Sequence, residues 1–475
     1  MEEEKQITLE LPTGKVITFN SEQAEGIEKI KLWLNGTEQF FTLAGYAGTG
    51  KTTIIKKIID EYRGRIVVSA PTHKAKKVIM MTTQEKGETL HALLGLQPDL
   101  QLDDFNPNNP MFNPIGDAKM GSYNLVIIDE ASMINEDLYE MIKKEASCWT
   151  KVKILFMGDP AQIPPIGEKK SIVFDVNEIE LHQLTQIMRQ EENNPLALIY
   201  SDLRDNLLDI YGGFDRTSAI NGNDEGIIFT NDRKLFRENL FRTFTSKEYV
   251  DDMDHAKLIA WRNKTVMSSN DIIRKAIFGK DANILEKGEV LMAYRSIRAR
   301  QQFFNLIDNS ADYRVMNVSE QQKNEFGLDG FKVTIRELLP TGKFMFRNIF
   351  IVDHRDFDNI HTFAEIHDAL KEIAKNDPTK KAWHKYYAFR RESLIMVRIR
   401  KFRDGTLRAT DEKIAKDLDY GYAITGHKAQ GSTYDHVFVL EDDMSINQNV
   451  KERNQIKYVA LTRPKKTATV FTNMT

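Results

Sequence analysis

The stretch Leu43–Ile54, "LAGYAGTGKTTI", decides the architecture. An apolar run ends in a turn carrying Gly45, Gly48 and Gly50, and the turn enters Lys51-Thr52-Thr53 and a helix-like sequence. Gly45 to Thr52 fits G-x-x-x-x-G-K-[ST], a loop whose backbone N–H groups point inward at phosphates while the following helix adds its positive end. Glycines let the backbone come close without a Cβ clash. Lys51 would reach the outer phosphates, and the Thr52 hydroxyl would ligate Mg²⁺. With this composition such a match arises by chance on the order of once in a hundred. The expected ligands are therefore ATP and Mg²⁺, held by Gly45, Gly48, Gly50, Lys51, Thr52 and Thr53.

Outward from the loop, short apolar runs recur at 39–45, 65–72, 125–132, 151–159, 256–263, 435–442 and 467–473. They are rich in Val, Ile and Phe without polar alternation, as in strands buried on both faces of a parallel sheet. Helical stretches such as 52–62 and 135–146 lie between them. This alternation predicts a doubly wound α/β fold. Two blocks interrupt it. Residues 97–120 are Pro- and Asn-rich, with no long period. Residues 280–414 contain alternating strand-like runs and include a helix with Phe363, Ile366, Leu370 and Ile373 on one face. The basic segment 381–403 interleaves Trp383, Tyr386, Tyr387, Phe389 and Phe402, which suits either single-strand contact or a solvated strand face.

The totals narrow the class. The chain has 475 residues, a net charge of −3 and a single cysteine, Cys148, so an internal disulfide and a cysteine zinc cluster are excluded. No apolar run reaches the roughly 18 residues of a membrane span, and "MEEEKQITLE" lacks the pattern of a secretory signal. A cytoplasmic setting is expected. Near-neutral charge argues against blanket attachment to nucleic acid while allowing a local basic groove.

A second motif completes the chemistry. "LVIIDEAS" is an apolar strand ending in Asp129-Glu130. Asp129 would hold the metal and Glu130 would take a proton from attacking water, a pairing that suits a hydrolase better than a kinase. Phosphoryl transfer also needs positive charge on the γ-phosphate, for which Arg189 and Arg463 are candidates.

What selects them is motif order. After "FNSEQ" (19–23) and the glycine loop come "APTHKAKK" (70–77), "TLHALLG" (89–95), "IIDEASM" (127–133), "MGDPAQIPPIG" (157–167), "LTQIMRQ" (184–190), "ITGHKAQGSTYDHVFV" (424–439) and "YVALTRPKK" (458–466). The series resembles the superfamily 1 DNA helicases of the 5′→3′ branch, the Dda-like and RecD-like enzymes, from about Phe19 to Lys466. The resemblance implies two RecA-like P-loop domains, with a small hairpin-type insertion in the first and a larger β-containing insertion in the second. The domains would be 1–190 (carrying the pin-like 97–120), 191–279 with 415–475, and an inserted accessory domain at 280–414. It also implies that Gln23 contacts adenine, Gln162 senses the γ-phosphate, and Arg189 and Arg463 act as arginine fingers beside Lys51 and Glu130. Thr72, His73, Thr89, His91, Trp261, Asn263, Thr425, His427 and Lys428 would contact the strand, and Phe105 or Phe112 would tip the pin.

The implied activity is ATP-driven movement along single-stranded DNA, 5′→3′, with unwinding at duplex junctions. The expected form is a monomer free of membranes, with single-strand-binding or replication proteins as partners. Alternatives are a remodeller of DNA-bound proteins and the motor subunit of a recombination nuclease.

Overall fold

The structure is a computed structural model. It describes residues 7–10, 14, 16–96, 118–187, 194–210, 214–300, 305–379, 381–402 and 409–473. Nearly all of the 97–120 insertion, with Phe105 and Phe112, and Arg189 lie outside the described residues, as does the side chain of His91.

The described chain is mixed α/β and divides into two compact units, residues 1–236 with 259–262 and 425–475, and residues 237–258 with 263–424. In the first unit the apolar runs form a five-stranded sheet in the order Ile66–Ser69, Leu125–Ile128, Lys153–Gly158, Phe40–Gly45, Glu180–Leu184. Every pairing is parallel. Alternate residues serve opposite faces. Phe41, Leu43, Leu125, Ile127, Leu155 and Met157 pack with Ile27 and Ile30 of helix Ser21–Asn35 and with Ile54, Ile55 and Ile58 of the glycine-loop helix, Lys51–Glu61. Ala44, Val126, Ile128, Ile154 and Phe156 pack on the other face against Leu138 and Ile142 of helix Glu136–Ser147. Each such Ile or Leu contributes about 1.5–3 kcal/mol by leaving water. The uniformly apolar strands follow from this two-sided burial.

Glu180–Leu184 lacks that signature because it is an edge strand, half exposed and, among the described residues, paired only with Phe40–Gly45. The same unit holds a second sheet in which Tyr434–Leu440 and Pro464–Phe471 are parallel, and Gly226–Thr230 runs parallel to the latter.

The second unit is built on an antiparallel sheet that takes in the strand-like runs of 280–414. Its longest hairpin pairs Asp329–Leu338 with Phe344–Val352. Against it lies helix Phe357–Asn376, whose buried positions are Asn359, Phe363, His367 and Ala374. Three positions of the expected face pack on the core, with Phe363 buried and Ile366 and Leu370 partly buried, but Ile373 is exposed. A histidine takes the core position because its polar atoms are matched. The Tyr386 hydroxyl lies 3.0 Å from its Nε2, Asp368 lies 2.9 Å from its Nδ1, and Phe363 stacks beside it. In segment 381–403, Tyr386, Phe389 and Arg390 are likewise buried, so part of that basic-aromatic interleaving is packing.

Burial, aided by the Arg390 charge, lowers the pKa of His367 from 6.5 to about 4. The unfolded chain therefore takes up a proton that the folded chain refuses, and stability falls as pH drops from 6.5 to 4. His367→Gln, followed by circular dichroism melts across that range, is expected to show a shallower loss than the parent chain.

Candidate functional site

Three neighbouring strands of the parallel sheet deliver the site from their C-terminal ends, where open α/β sheets bind ligands. Phe40–Gly45 leads into the glycine loop, Leu125–Ile128 into Asp129-Glu130, and Lys153–Gly158 into Asp159.

The loop has the geometry the motif demands. Gly48 and Gly50 are left-handed, at φ +80° and +82°. A Cβ on Gly50 would lie 2.5 Å from Gln23 Nε2, and one on Gly45 would lie 2.7 Å from Thr49 Oγ1. Gln23 is buried at the start of its helix. It closes a capping box with Asn20 and donates through Nε2 to the Thr49 carbonyl at 3.0 Å. Its second amide hydrogen and spare oxygen lone pair remain for another polar edge. Lys51 Nζ donates to the Gly45 and Tyr46 carbonyls at 2.6 and 3.0 Å, folding back along the loop. Thr52 and Thr53 are half-buried in the first helical turn.

Asp129 Oδ1 accepts the Glu130 N–H at 2.8 Å, and Glu130 sits at φ +53°, a conformation that costs a non-glycine residue about 1 kcal/mol or more. Burial raises the pKa of Asp129, and the neighbouring Glu130 charge raises it further, against Lys51 and Arg463. Burial also raises Glu130, with Arg463 the first counterweight and Lys51 the second. Asp159 is raised by burial in the same way.

Several polar atoms here are shut off from water and have no hydrogen-bond partner among the described residues: Glu130 Oε2, Ser132 Oγ, Gln162 Oε1 and Ser432 Oγ. Sealed oxygens beside a glycine-lined cradle, with concentrated negative charge, fit a metal-bound polyphosphate better than an apolar ligand.

Arg463 is buried and donates to three neutral oxygens: the Val459 carbonyl at 3.0 Å, the Ser432 carbonyl at 3.3 Å and Thr462 Oγ1 at 2.9 Å. Its charge thus stays available to the carboxylates and to an anion. Gln162 is buried in the turn after Asp159.

The strand-contact candidates are placed as follows. Thr72 and Thr425 are N-caps, accepting from Ala75 N and Lys428 N at 3.2 and 3.3 Å. His73, Thr89, His427 and Lys428 are half-buried. The backbone N–H groups of Trp261 and Arg262 both donate to Asp443 Oδ2 at 2.8 Å. Asn263 is exposed and opens helix Asn263–Phe278 in the other unit.

Sequence reading assigned nothing to Asp159, Gln455 or Tyr458, although Asp159 and Tyr458 lie inside quoted motifs. Tyr458 accepts the Ala47 N–H of the glycine loop at 3.0 Å and donates to Asp159 Oδ2 at 2.7 Å.

A glycine cradle, a lysine, two carboxylates at a strand end and a buried arginine define a P-loop nucleotide-hydrolase site. Residues 18–220 match the AAA domain family and residues 420–471 the UvrD-like helicase C-terminal domain. An uncharacterised protein of Acanthamoeba polyphaga mimivirus is 27% identical, over 94% of this chain and 98% of its own. The ATP-dependent DNA helicase Dda of Enterobacteria phage T4 is 28% identical over 53% of this chain, a match spanning 55% of that protein. Among solved structures, a Bacteroides Pif1 helicase in complex with ADP-AlF3 and single-stranded DNA aligns at TM-score 0.50 and 16% identity, over 95% of this chain and 93% of that one. These matches together support a superfamily 1 helicase of the Pif1, Dda and RecD-like type, and the fold is the one with two RecA-like domains.

Glu130→Gln removes a charge the site holds at a cost. It is expected to leave stability unchanged or raise it by up to about 1 kcal/mol, to keep nucleotide binding, and to slow hydrolysis by about 100-fold or more. Melting curves, nucleotide titration and phosphate release check the three parts separately.

Proposed function

We propose that this chain is an ATP-driven DNA helicase that translocates 5′→3′ on single-stranded DNA and opens duplex junctions. The observation that carries the reading is the convergence of Lys51, Glu130 and Arg463 within one compact unit, because Arg463 comes from the far C-terminal segment of the chain. An arginine delivered from one segment to carboxylates of another makes hydrolysis depend on how the two are seated, which is what a motor requires.

The residues divide the work. Loop amides and Lys51 grip the phosphates, and Gln23 supports the loop and meets the adenine edge. Thr52 and Asp129 would hold Mg²⁺, which when bound supplies charge neutralisation on the phosphate oxygens. Glu130 orients the attacking water and accepts its proton. Arg463, with Arg189, stabilises the charge that develops on the transferred phosphoryl group. Gln162 reports the γ-phosphate to the rest of the chain. Thr72, His73, Thr89, His91, Trp261, Asn263, Thr425, His427 and Lys428 contact the strand through backbone phosphates and stacking, without reading sequence. The working domains are 1–190, 191–279 with 415–475, and the accessory 280–414.

The deciding experiment offers one labelled duplex with a 5′ or a 3′ single-stranded tail, plus ATP and Mg²⁺. Opening of the 5′-tailed duplex alone is expected. Opening from the 3′ tail alone overturns the direction, and single strands that leave hydrolysis unchanged overturn the motor. Lys51→Ala is expected to abolish ATP turnover in a folded protein; turnover that persists would remove the glycine loop from the mechanism.

A further inference from the structure

We propose that Tyr458 and Gln455 are positioning residues that lock the nucleotide cradle and the Asp159–Gln162 turn to helix Val450–Leu461, so that loop, turn and arginine respond to nucleotide as one body. The inference rests on the helicase reading above and names the residues that couple its hydrolysis site.

Tyr458 is almost wholly buried, and its hydroxyl has two partners. It accepts from Ala47 N at 3.0 Å and donates to Asp159 Oδ2 at 2.7 Å. The Ala47 N–H belongs to the loop that would cradle phosphate, so the hydroxyl is where the helix touches the cradle. Gln455 lies three residues earlier, on the same helical face, and is also buried. Its Nε2 donates to the Gln162 carbonyl at 2.8 Å. One helical face thus holds the loop, the buried aspartate and the backbone of the residue assigned to γ-phosphate sensing. Gln430 bonds to the residue just after the turn, from Nε2 to the Ile163 carbonyl at 2.9 Å.

The helix is fixed from another direction. Lys457 Nζ pairs with Glu441 at 2.8 Å, and Arg216 pairs with the same buried carboxylate at 2.6 Å. Burial pushes Glu441 up, but the two cations outweigh it and hold its pKa below the ordinary value. The helix ends at Leu461, and Arg463 bonds back to its Val459 carbonyl. A shift of the Ala47 amide toward a phosphate is therefore carried through Tyr458 to Asp159 and along one turn to Arg463.

The test uses Tyr458→Phe and Gln455→Met, which keep volume and remove the bonds. Three quantities are read in the full chain: the melting midpoint, the stimulation of ATP hydrolysis by a poly-dT oligomer, and the ratio of poly-dT affinity with and without a non-hydrolysable ATP analogue. Both variants should melt near the parent, while the stimulation and the affinity ratio each fall by about tenfold. A purely structural role would lower the melting point and leave the affinity ratio intact; that result overturns the proposal, as does full stimulation in both variants. If Tyr458→Phe does not fold, Gln455→Met decides alone. Absence of stimulation in the parent chain sinks the helicase reading itself, a result distinct from stimulation that survives in the variants.

Discussion

Negative charge gathered in a partly closed site is the constraint on which the rest of the structure depends. Asp129, Glu130 and Asp159 stand at the ends of adjacent strands, and burial raises the pKa of all three. Two cations recur as counterweights for each of them, Lys51 and Arg463. Both offset charge that burial makes costly. Lys51 is local, the first residue of the loop helix. Arg463 comes from the C-terminal segment, so the first parallel sheet satisfies its own catalytic end only when that segment is in place. The cluster is thus both a site and a reason for distant parts of the chain to meet.

The same constraint explains the glycines. Loop amides approach a phosphate only if no Cβ intervenes, and Gly50 leaves room for the Gln23 amide instead. Glu130 pays in backbone strain for an orientation that brings its carboxylate in beside Asp129, held by the hydrogen bond from its own N–H. Strain at a residue whose Oε2 is sealed and unpartnered is the mark of a position kept for chemistry.

Much of this was legible in the sequence, for physical reasons. Strands buried on both faces leave a continuous apolar record, so 39–45, 125–132 and 151–159 were readable directly. Glu180–Leu184 was not, because an edge strand with one wet face carries "ELHQL" and resembles a loop. The face of helix Phe357–Asn376 was misjudged at Ile373 because His367, a polar residue by composition, is buried through its bonds to Tyr386 and Asp368. The glycine loop and Asp129-Glu130 were legible because their spacing is local. The roles of Tyr458 and Gln455 were not, because they consist of single hydrogen bonds to residues some 300 or more positions away, which leave no period and no composition.

A further consequence follows from Gly431, in "GHKAQGST". It is left-handed at φ +68°, and a Cβ there would lie 2.6 Å from Ala75 Cβ and 3.2 Å from Glu130 Cγ. Ala75 is in the first turn of helix His73–Thr83, whose N-cap Thr72 is assigned to the nucleic-acid backbone. Lys74 of the same turn reaches the Tyr434 hydroxyl at 3.2 Å and lies over its ring. The helix proposed to feel the strand therefore lies close to a glycine that also lies close to the Glu130 side chain, with no side chain of its own between them. Close-packed interiors transmit small shifts rather than dissipating them. Under the roles proposed above, that close approach would give strand binding a short mechanical path to hydrolysis, and it requires a glycine at this one position.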